Sequence, residues 1–414
     1  MNKQYIIVGN GPAGINAAEG LRARDSKSGI VLIGQEPGLP YSPTILPYYV
    51  SGKIKKNSLF LRSGTYWKDR GIDLIRGNGI ASVSPGEGKV TLKDGSSLHY
   101  DAMILAQGGR PVVPDIPGLR EGNPLFLRTL TDAEKLRQGA KKASKAIVLG
   151  AGLIGMQAAQ ALAEMGLSVQ VIELLDQVLP GYFDRKAATI IRRSYESHRV
   201  TFFTSTQVEG IERIKGNYLL QLKEGKTLSA PLLFVATGVT PNIGFLEGSG
   251  IKMDRGILVN RAMGTNIPNI YAAGDVVQSD DFWGRGKVNQ PILINAVDQG
   301  RMAAASAMGE EVAHGGNISM NLFHFFGNLA LSIGRVSPDN GERFQIHQSD
   351  TSGKYQKLVL EGDSLVGVMA VNVPLDPGIL LQLIRRRIPL GRDKKEFLEK
   401  SVEMGRKLMC LKWR

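Results

Sequence analysis

The chain has 414 residues, 43% of them hydrophobic and 21% charged, with a formal net charge of +13. That length and apolar content suffice to bury two or three separate cores. The sole cysteine, Cys410, excludes an intramolecular disulfide, a Cys-x-x-Cys redox pair and a cysteine-built iron–sulfur or zinc site, so no metal is expected. The first apolar run ends at Gly9, too soon for a secretory signal, and no run approaches the roughly 20 apolar residues of a membrane helix. The expectation is a cytoplasmic protein with no membrane span.

In chain order, the first chemical signal is at the N-terminus. Tyr5-Ile-Ile-Val8 reads as a buried strand, Gly9-Asn-Gly11-Pro12-Ala-Gly14 as a turn, the run from Ile15 as a helix, and Ile30 to Gly34 as a second strand. Glu36 follows Gly14 by 22 residues. Strand, glycine turn, helix, strand and acid form a dinucleotide-binding unit. The first glycine allows the tight turn, the second lets the backbone approach a pyrophosphate, and the third packs helix on sheet. The pyrophosphate meets the helix N-terminus and the acid accepts from ribose hydroxyls.

The same pattern then recurs. Lys145 to Leu149 leads into Gly150-Ala-Gly152-Leu153-Ile154-Gly155, a helix from Met156, and a strand Ser168 to Ile172 ending at Glu173. Two such units imply two bound dinucleotides. At the second, Glu173 is followed by Leu174-Leu175-Asp176 with no arginine there for a 2′-phosphate, which favours NAD over NADP; Arg185 and Lys186 remain within sequence reach.

Further elements carry a family resemblance. Asp101-Ala-Met-Ile-Leu-Ala106-Gln107-Gly108-Gly-Arg-Pro111, Leu233-Phe-Val-Ala-Thr-Gly238-Val-Thr-Pro-Asn242 and Thr265 to Val277, which contains Gly274-Asp275, occur in that order. They resemble the motifs of the two-dinucleotide flavoprotein reductases, the pyridine nucleotide-disulphide oxidoreductase superfamily, over essentially the whole chain. The resemblance implies FAD at the first glycine turn and NAD(H) at the second. It implies that Asp275 hydrogen-bonds the ribityl chain of FAD, and that a helix opening at Gln290-Pro-Ile-Leu-Ile-Asn295-Ala296 and reaching Met308 aims its N-terminus at the flavin, where its dipole stabilises reduced flavin. Arg128 matches a position that touches FAD in relatives, the alternative being a surface arginine. Gln157 stands where many relatives have a glutamate beside the nicotinamide.

The segment Pro40 to Lys53 is informative for what it lacks. Disulphide reductases and cysteine-dependent oxidases of the superfamily place a cysteine before a Leu-Pro-Tyr-Tyr stretch beside the flavin; here Thr44 occupies that place, ahead of Leu46-Pro-Tyr-Tyr49. A threonine cannot cycle through thiolate, sulfenate or mixed disulphide. Family peroxidases carry a histidine inside the first glycine turn, where this chain has Pro12. The pattern is similar to the cysteine-free branch: ferredoxin and rubredoxin reductases, the flavin region of NADH-nitrite reductase, and flavin subunits of phenylglyoxylate dehydrogenase or tungsten aldehyde oxidoreductase. No side chain is assigned as chemical catalyst, since flavin and nicotinamide carry the reaction.

The implied fold is α/β, with two Rossmann-like, doubly wound parallel-sheet domains and an α+β C-terminal interface domain. The FAD domain is expected over 1–112 and 242–318, the NAD domain over 113–241, and the interface domain over 319–414. In the last, strands are expected at Leu329 to Arg335, Tyr355 to Glu361 and Ser364 to Val371, then helices at about Gly378 to Arg386 and Lys394 to Met409. From Gly378 onward there are eleven Lys or Arg against four acids, a net of +7. Such a tail is either a solvated basic face or a dock for an acidic partner; nucleic acid is not expected, since no nucleic-acid module accompanies the charge. The reading is an FAD-containing NAD(H):acceptor oxidoreductase that exchanges electrons with an acidic iron–sulfur protein or subunit, with a homodimer through the C-terminal domain implied by the resemblance. A stand-alone, peroxide-forming NADH oxidase is the alternative, and a redox-sensing flavoprotein a third.

Overall fold

The computed structural model describes residues 3–223, 225–338 and 343–412. They divide into two compact units, one of 1–112, 127–134 and 238–318, the other of 113–126, 135–237 and 319–414.

The first unit is built on a parallel five-stranded sheet, in the order Ile270–Ala272, Ala102–Leu105, Gln4–Val8, Gly29–Gly34 and Ile72–Arg76. The strand Gln4–Val8 pairs in register with Gly29–Gly34, from Gln4 opposite Gly29 to Val8 opposite Ile33. The central strands read Tyr-Ile-Ile-Val, Ile-Val-Leu-Ile and Ala-Met-Ile-Leu because they are buried on both faces, so alternation would leave polar groups in the core. Helices Pro12–Arg24 and Leu293–Ala307 lie against each other and against this sheet. Their approach is close because both present small residues: a Cβ at Gly300 would sit 2.2 Å from the carbonyl oxygen of Ala13.

The helix expected from Gln290 begins at Leu293. Pro291 lies ahead of its N-cap, Ile292, whose amide donates instead to the carbonyl of Gln290 at 2.9 Å. The Gln290-Pro-Ile stretch is therefore spent on a tight turn that sets where the helix can start.

The second unit holds a parallel four-stranded sheet, in the order Val200–Phe203, Ser168–Ile172, Lys145–Leu149 and Leu232–Val235, and a three-stranded antiparallel sheet from Val208–Ile214 to Thr227–Ala230. It also holds a five-stranded antiparallel sheet, in the order Met320–Phe325, Asn328–Gly334, Ser364–Val371, Lys354–Glu361 and Phe344–Thr351. Two of these strands were not expected. Met320–Phe325 points Asn321 inward with Phe323 and Phe325, so its alternation is interrupted by a polar residue. Phe344–Thr351 is exposed along almost its whole length, and only pairing with Lys354–Glu361 makes it a strand.

Helix Pro377–Arg385 follows, but the helix expected over Lys394 to Met409 is two helices, Lys394–Glu399 and Ser401–Lys412, broken at Lys400 (φ −130°, ψ 56°). Ser401 opens the second helix, its buried hydroxyl accepting from the Gln356 side-chain amide at 3.1 Å.

Candidate functional site

The two glycine turns are built alike. Gly9 has φ +105° and Gly150 φ +98°, and a Cβ on either would lie 2.2 Å from the carbonyl oxygen of Ala106 or 2.4 Å from that of Ala236, at the end of the neighbouring parallel strand. A Cβ on Gly14 would lie 1.8 Å from the Gly9 carbonyl oxygen, and one on Gly155 1.9 Å from that of Gly150. The middle glycines, Gly11 and Gly152, face open space, with nothing within 4 Å of a Cβ position. Each is also the N-cap of its helix and carries no capping side chain. Backbone amides at both helix starts are thus left to an outside acceptor on the side the chain keeps clear, as a pyrophosphate requires.

Around the first turn the chain assembles a polar wall. Glu36 accepts from the Tyr41 hydroxyl at 2.8 and 2.9 Å and from the Leu130 amide at 3.0 Å, so its carboxylate is oriented before any ligand arrives. Burial, and then the Glu36 charge, push the Tyr41 phenol well above its ordinary value, which keeps it a neutral donor. Asp275 pairs with Arg128 at 3.0 Å, and Arg128 also covers Gly108; the guanidinium is therefore part of this site, not a free surface charge. The Asn289 amide donates to the carbonyls of Asp275 and Val277, both at 2.8 Å. The amide of Gly274 donates to Gln299 Oε1 at 2.8 Å, and Gln299 Nε2 bonds Ser279 and Asn317.

This wall also contains acceptors with no donor. Asn295, 1% exposed in the first turn of its helix beside Ala296, has a buried Oδ1 with no partner, and so does Gln107 Oε1, whose amide nitrogen is fixed on the Asn242 carbonyl at 3.1 Å. A buried acceptor left unpaired is costly, so these orphan oxygens fit a bound group that brings hydrogen-bond donors. Thr44 is exposed, its hydroxyl 2.8 Å from that of Ser42, at the head of the helix Leu46–Val50.

At the second turn Glu173, 9% exposed, accepts from the Ala151 amide at 2.7 Å and the Leu175 amide at 2.9 Å. Leu153 and Ile154 open the helix; Ile154 is exposed and Gln157 half-buried one turn on. Leu174 and Leu175 are exposed at 64% and 52%, an apolar step beside the acid. Arg185 pairs with Asp176, both side chains being exposed. Gly238, at φ +132°, accepts from the Val112 amide at 3.0 Å and belongs to the first unit.

Sequence reasoning missed Tyr41, Asn289 and Gln299. Gln299 was the most legible of them: it stands four residues after Asn295 on a buried, alanine-rich helix face, where an uncharged amide needs a structural reason. Among the described residues there is no group of three His, Cys, Asp or Glu placed to hold a metal, and no helix is long and apolar enough to cross a membrane.

Two separate parallel sheets, each ending in the same glycine turn, define an oxidoreductase that handles two dinucleotides. Residues 3–308 match the model of the pyridine nucleotide-disulphide oxidoreductase family, and the chain belongs to that family; it is an FAD- and NAD(H)-dependent oxidoreductase. It is 35% identical over 414 residues to the NADH-dependent phenylglyoxylate dehydrogenase subunit epsilon of Aromatoleum evansii, covering 99% of this chain and 98% of that one. It is 33% identical over 321 residues to an NADH oxidase of Methanocaldococcus jannaschii, covering 74% and 70% of the two chains. Its fold is similar to that in the crystal structure of the covalent putidaredoxin reductase–putidaredoxin complex, with a TM-score of 0.86, 26% identity, and coverage of 97% of this chain and 99% of the other.

Proposed function

We propose that this chain passes electrons between NAD(H) and an iron–sulfur protein or subunit, with FAD on the Gly9–Gly14 turn and NAD(H) on the Gly150–Gly155 turn. The observation that carries this reading is the duplicated turn, each copy with its open middle glycine, in a chain whose sole cysteine, Cys410, is remote in sequence from the Thr44 segment. FAD, when bound, takes an electron pair as hydride and releases electrons singly. The chain's own residues bind and orient. Glu36, set by Tyr41 and the Leu130 amide, takes ribose hydroxyls. Asp275, held by Arg128, takes the ribityl chain, and the orphan oxygens of Asn295 and Gln107 accept from the flavin side. Glu173 braces the second turn for NAD(H), with Gln157 beside the nicotinamide.

The corresponding domains are 1–112 with 242–318 for FAD, 113–241 for NAD(H), and 319–414 for docking and homodimer formation, in a cytoplasmic protein. In the C-terminal region Lys394, Arg406 and Lys407 pair with Asp363, Asp376 and Asp393, whereas Arg392, Lys395 and Lys400 are exposed with no carboxylate partner among the described residues. Exposed cations without a carboxylate partner favour an acidic partner and make its docking sensitive to salt.

Anaerobic stopped-flow tests the reading. The flavoprotein is reduced with NADH, then mixed separately with oxygen and with an acidic ferredoxin at several ionic strengths. Fast, salt-sensitive oxidation by the ferredoxin with slow reaction towards oxygen is expected. Oxidation by oxygen at turnover rates, with an inert ferredoxin, would replace this reading with a peroxide-forming NADH oxidase.

A further inference from the structure

The loop from Glu173 to Asp184 is tied to the second glycine turn at two points. The Ala151 amide donates to Glu173 at its start, and the Ala151 carbonyl accepts from the Leu179 amide at 2.8 Å in its middle. Ala151 lies between Gly150 and Gly152, so the loop is hydrogen-bonded directly to the turn at both points. The far end of the loop is held by a different element. Asp184 caps helix Arg185–Glu196 through the Ala187 amide at 3.1 Å with one carboxylate oxygen. Its other oxygen accepts from the Tyr355 hydroxyl at 2.6 Å and meets the Lys357 ammonium at 3.4 Å, both from strand Lys354–Glu361 of the antiparallel sheet. Tyr355 is fully buried and the Lys357 side chain is 9% exposed. Two donors from one strand converging on one oxygen fix the position of that oxygen. Burial, and then Asp184, push the Tyr355 phenol above its ordinary value and keep it a donor.

We propose that Asp184, clamped by Tyr355 and Lys357, is the positioning residue of the second dinucleotide site: the C-terminal sheet sets the loop that closes on NAD(H), and through it the affinity for that dinucleotide. The inference rests on the assignment of NAD(H) to the Gly150–Gly155 turn. None of the three residues is assigned contact with the dinucleotide, so their effect belongs in affinity and not in the hydride step.

The test uses the full-length flavoprotein with Tyr355→Phe, which removes one oxygen, and Lys357→Met, which keeps the stem and removes the charge. Arg192→Gln, which breaks an exposed Arg192–Glu196 pair on the same helix, is the control. NAD⁺ affinity is measured by titration calorimetry, and half-saturation and limiting rate of flavin reduction by NADH in anaerobic stopped-flow. The expected result is an affinity lowered about 5- to 50-fold in both variants, within the usual span of coupling between sites, with an unchanged limiting rate and an unaffected control. Should Lys357→Met fail to fold, Tyr355→Phe alone decides. Wild-type affinity in a folded variant, or a fall in limiting rate at unchanged affinity, overturns the proposal. A wild-type protein that neither binds NAD⁺ nor is reduced by NADH overturns the assignment of the second turn, and this inference with it.

Discussion

Gly155→Ala separates the two dinucleotide sites most cleanly. Its new Cβ would lie 1.9 Å from the Gly150 carbonyl oxygen and 3.0 Å from that carbonyl carbon. Heavy atoms in ordinary contact sit about 3.5 Å apart, so helix or turn has to yield by roughly 1.5 Å. The helix Leu153–Glu164 cannot retreat freely, because Met156, Ala158, Ala159 and Leu162 are wholly buried. The turn must give instead, and with it the amides that would face the pyrophosphate. Overpacking of this kind costs about 1–3 kcal/mol; if that falls on the bound geometry, NADH affinity drops about 5- to 150-fold.

The paired variant Gly14→Ala meets the same obstacle, 1.8 Å from the Gly9 carbonyl oxygen, in the first unit. The assay is flavin content by absorbance after gel filtration, followed by anaerobic reduction over a range of NADH concentrations. Gly155→Ala is expected to keep its flavin and to need far more NADH; Gly14→Ala is expected to lose flavin. Half-saturation within about twofold of wild type in a folded Gly155→Ala protein would refute the reasoning, since a coupling worth the smallest figure above exceeds that margin. Loss of flavin from Gly155→Ala alone would refute the assignment of the turns.

Three further outcomes are expected. Arg128→Met removes the partner of Asp275 and the cover of Gly108, so flavin should dissociate faster by about tenfold or more, the scale of a lost charge-assisted hydrogen bond, as seen by fluorescence release on dilution. The Tyr41 phenol is raised by burial above its unfolded value of 10.0; its contribution to stability is intact below that value and is lost as pH rises from there towards the higher folded value. The melting temperature should consequently fall more steeply above pH 10 in wild type than in Tyr41→Phe. Cys410 is exposed and is the sole thiol, so Cys410→Ser and treatment with iodoacetamide should both leave NADH-driven reduction of a one-electron acceptor unchanged; loss of turnover on alkylation would return a thiol to the mechanism.

Much of this site was legible in the residues because the constraints are local. A glycine turn between a buried strand and a helix needs its three glycines at fixed spacing, whatever surrounds it, and the terminal acids Glu36 and Glu173 follow at the end of the next strand. The absence of a thiol at Thr44 was equally plain, since it depends on one residue type. The sequence by itself therefore determined that the glycine-turn unit occurs twice and that the chain's one cysteine, Cys410, lies far along the sequence from the Thr44 segment.

Only the tertiary structure decided who orients whom. Arg128 meets Asp275 across 147 positions, Leu130 meets Glu36 across 94, and Lys357 meets Asp184 across 173. No spacing rule links such residues, because each pair is brought together by the packing of elements far apart in the chain. The same cause explains the elements that were misread. Phe344–Thr351 is a strand only because Lys354–Glu361 supplies its hydrogen bonds, and Ser401, just after the break at Lys400, is bonded to Gln356, 45 positions away. Hydrogen-bond partners and buried charges are properties of the assembled chain, whereas turns and strand patterns are properties of its segments.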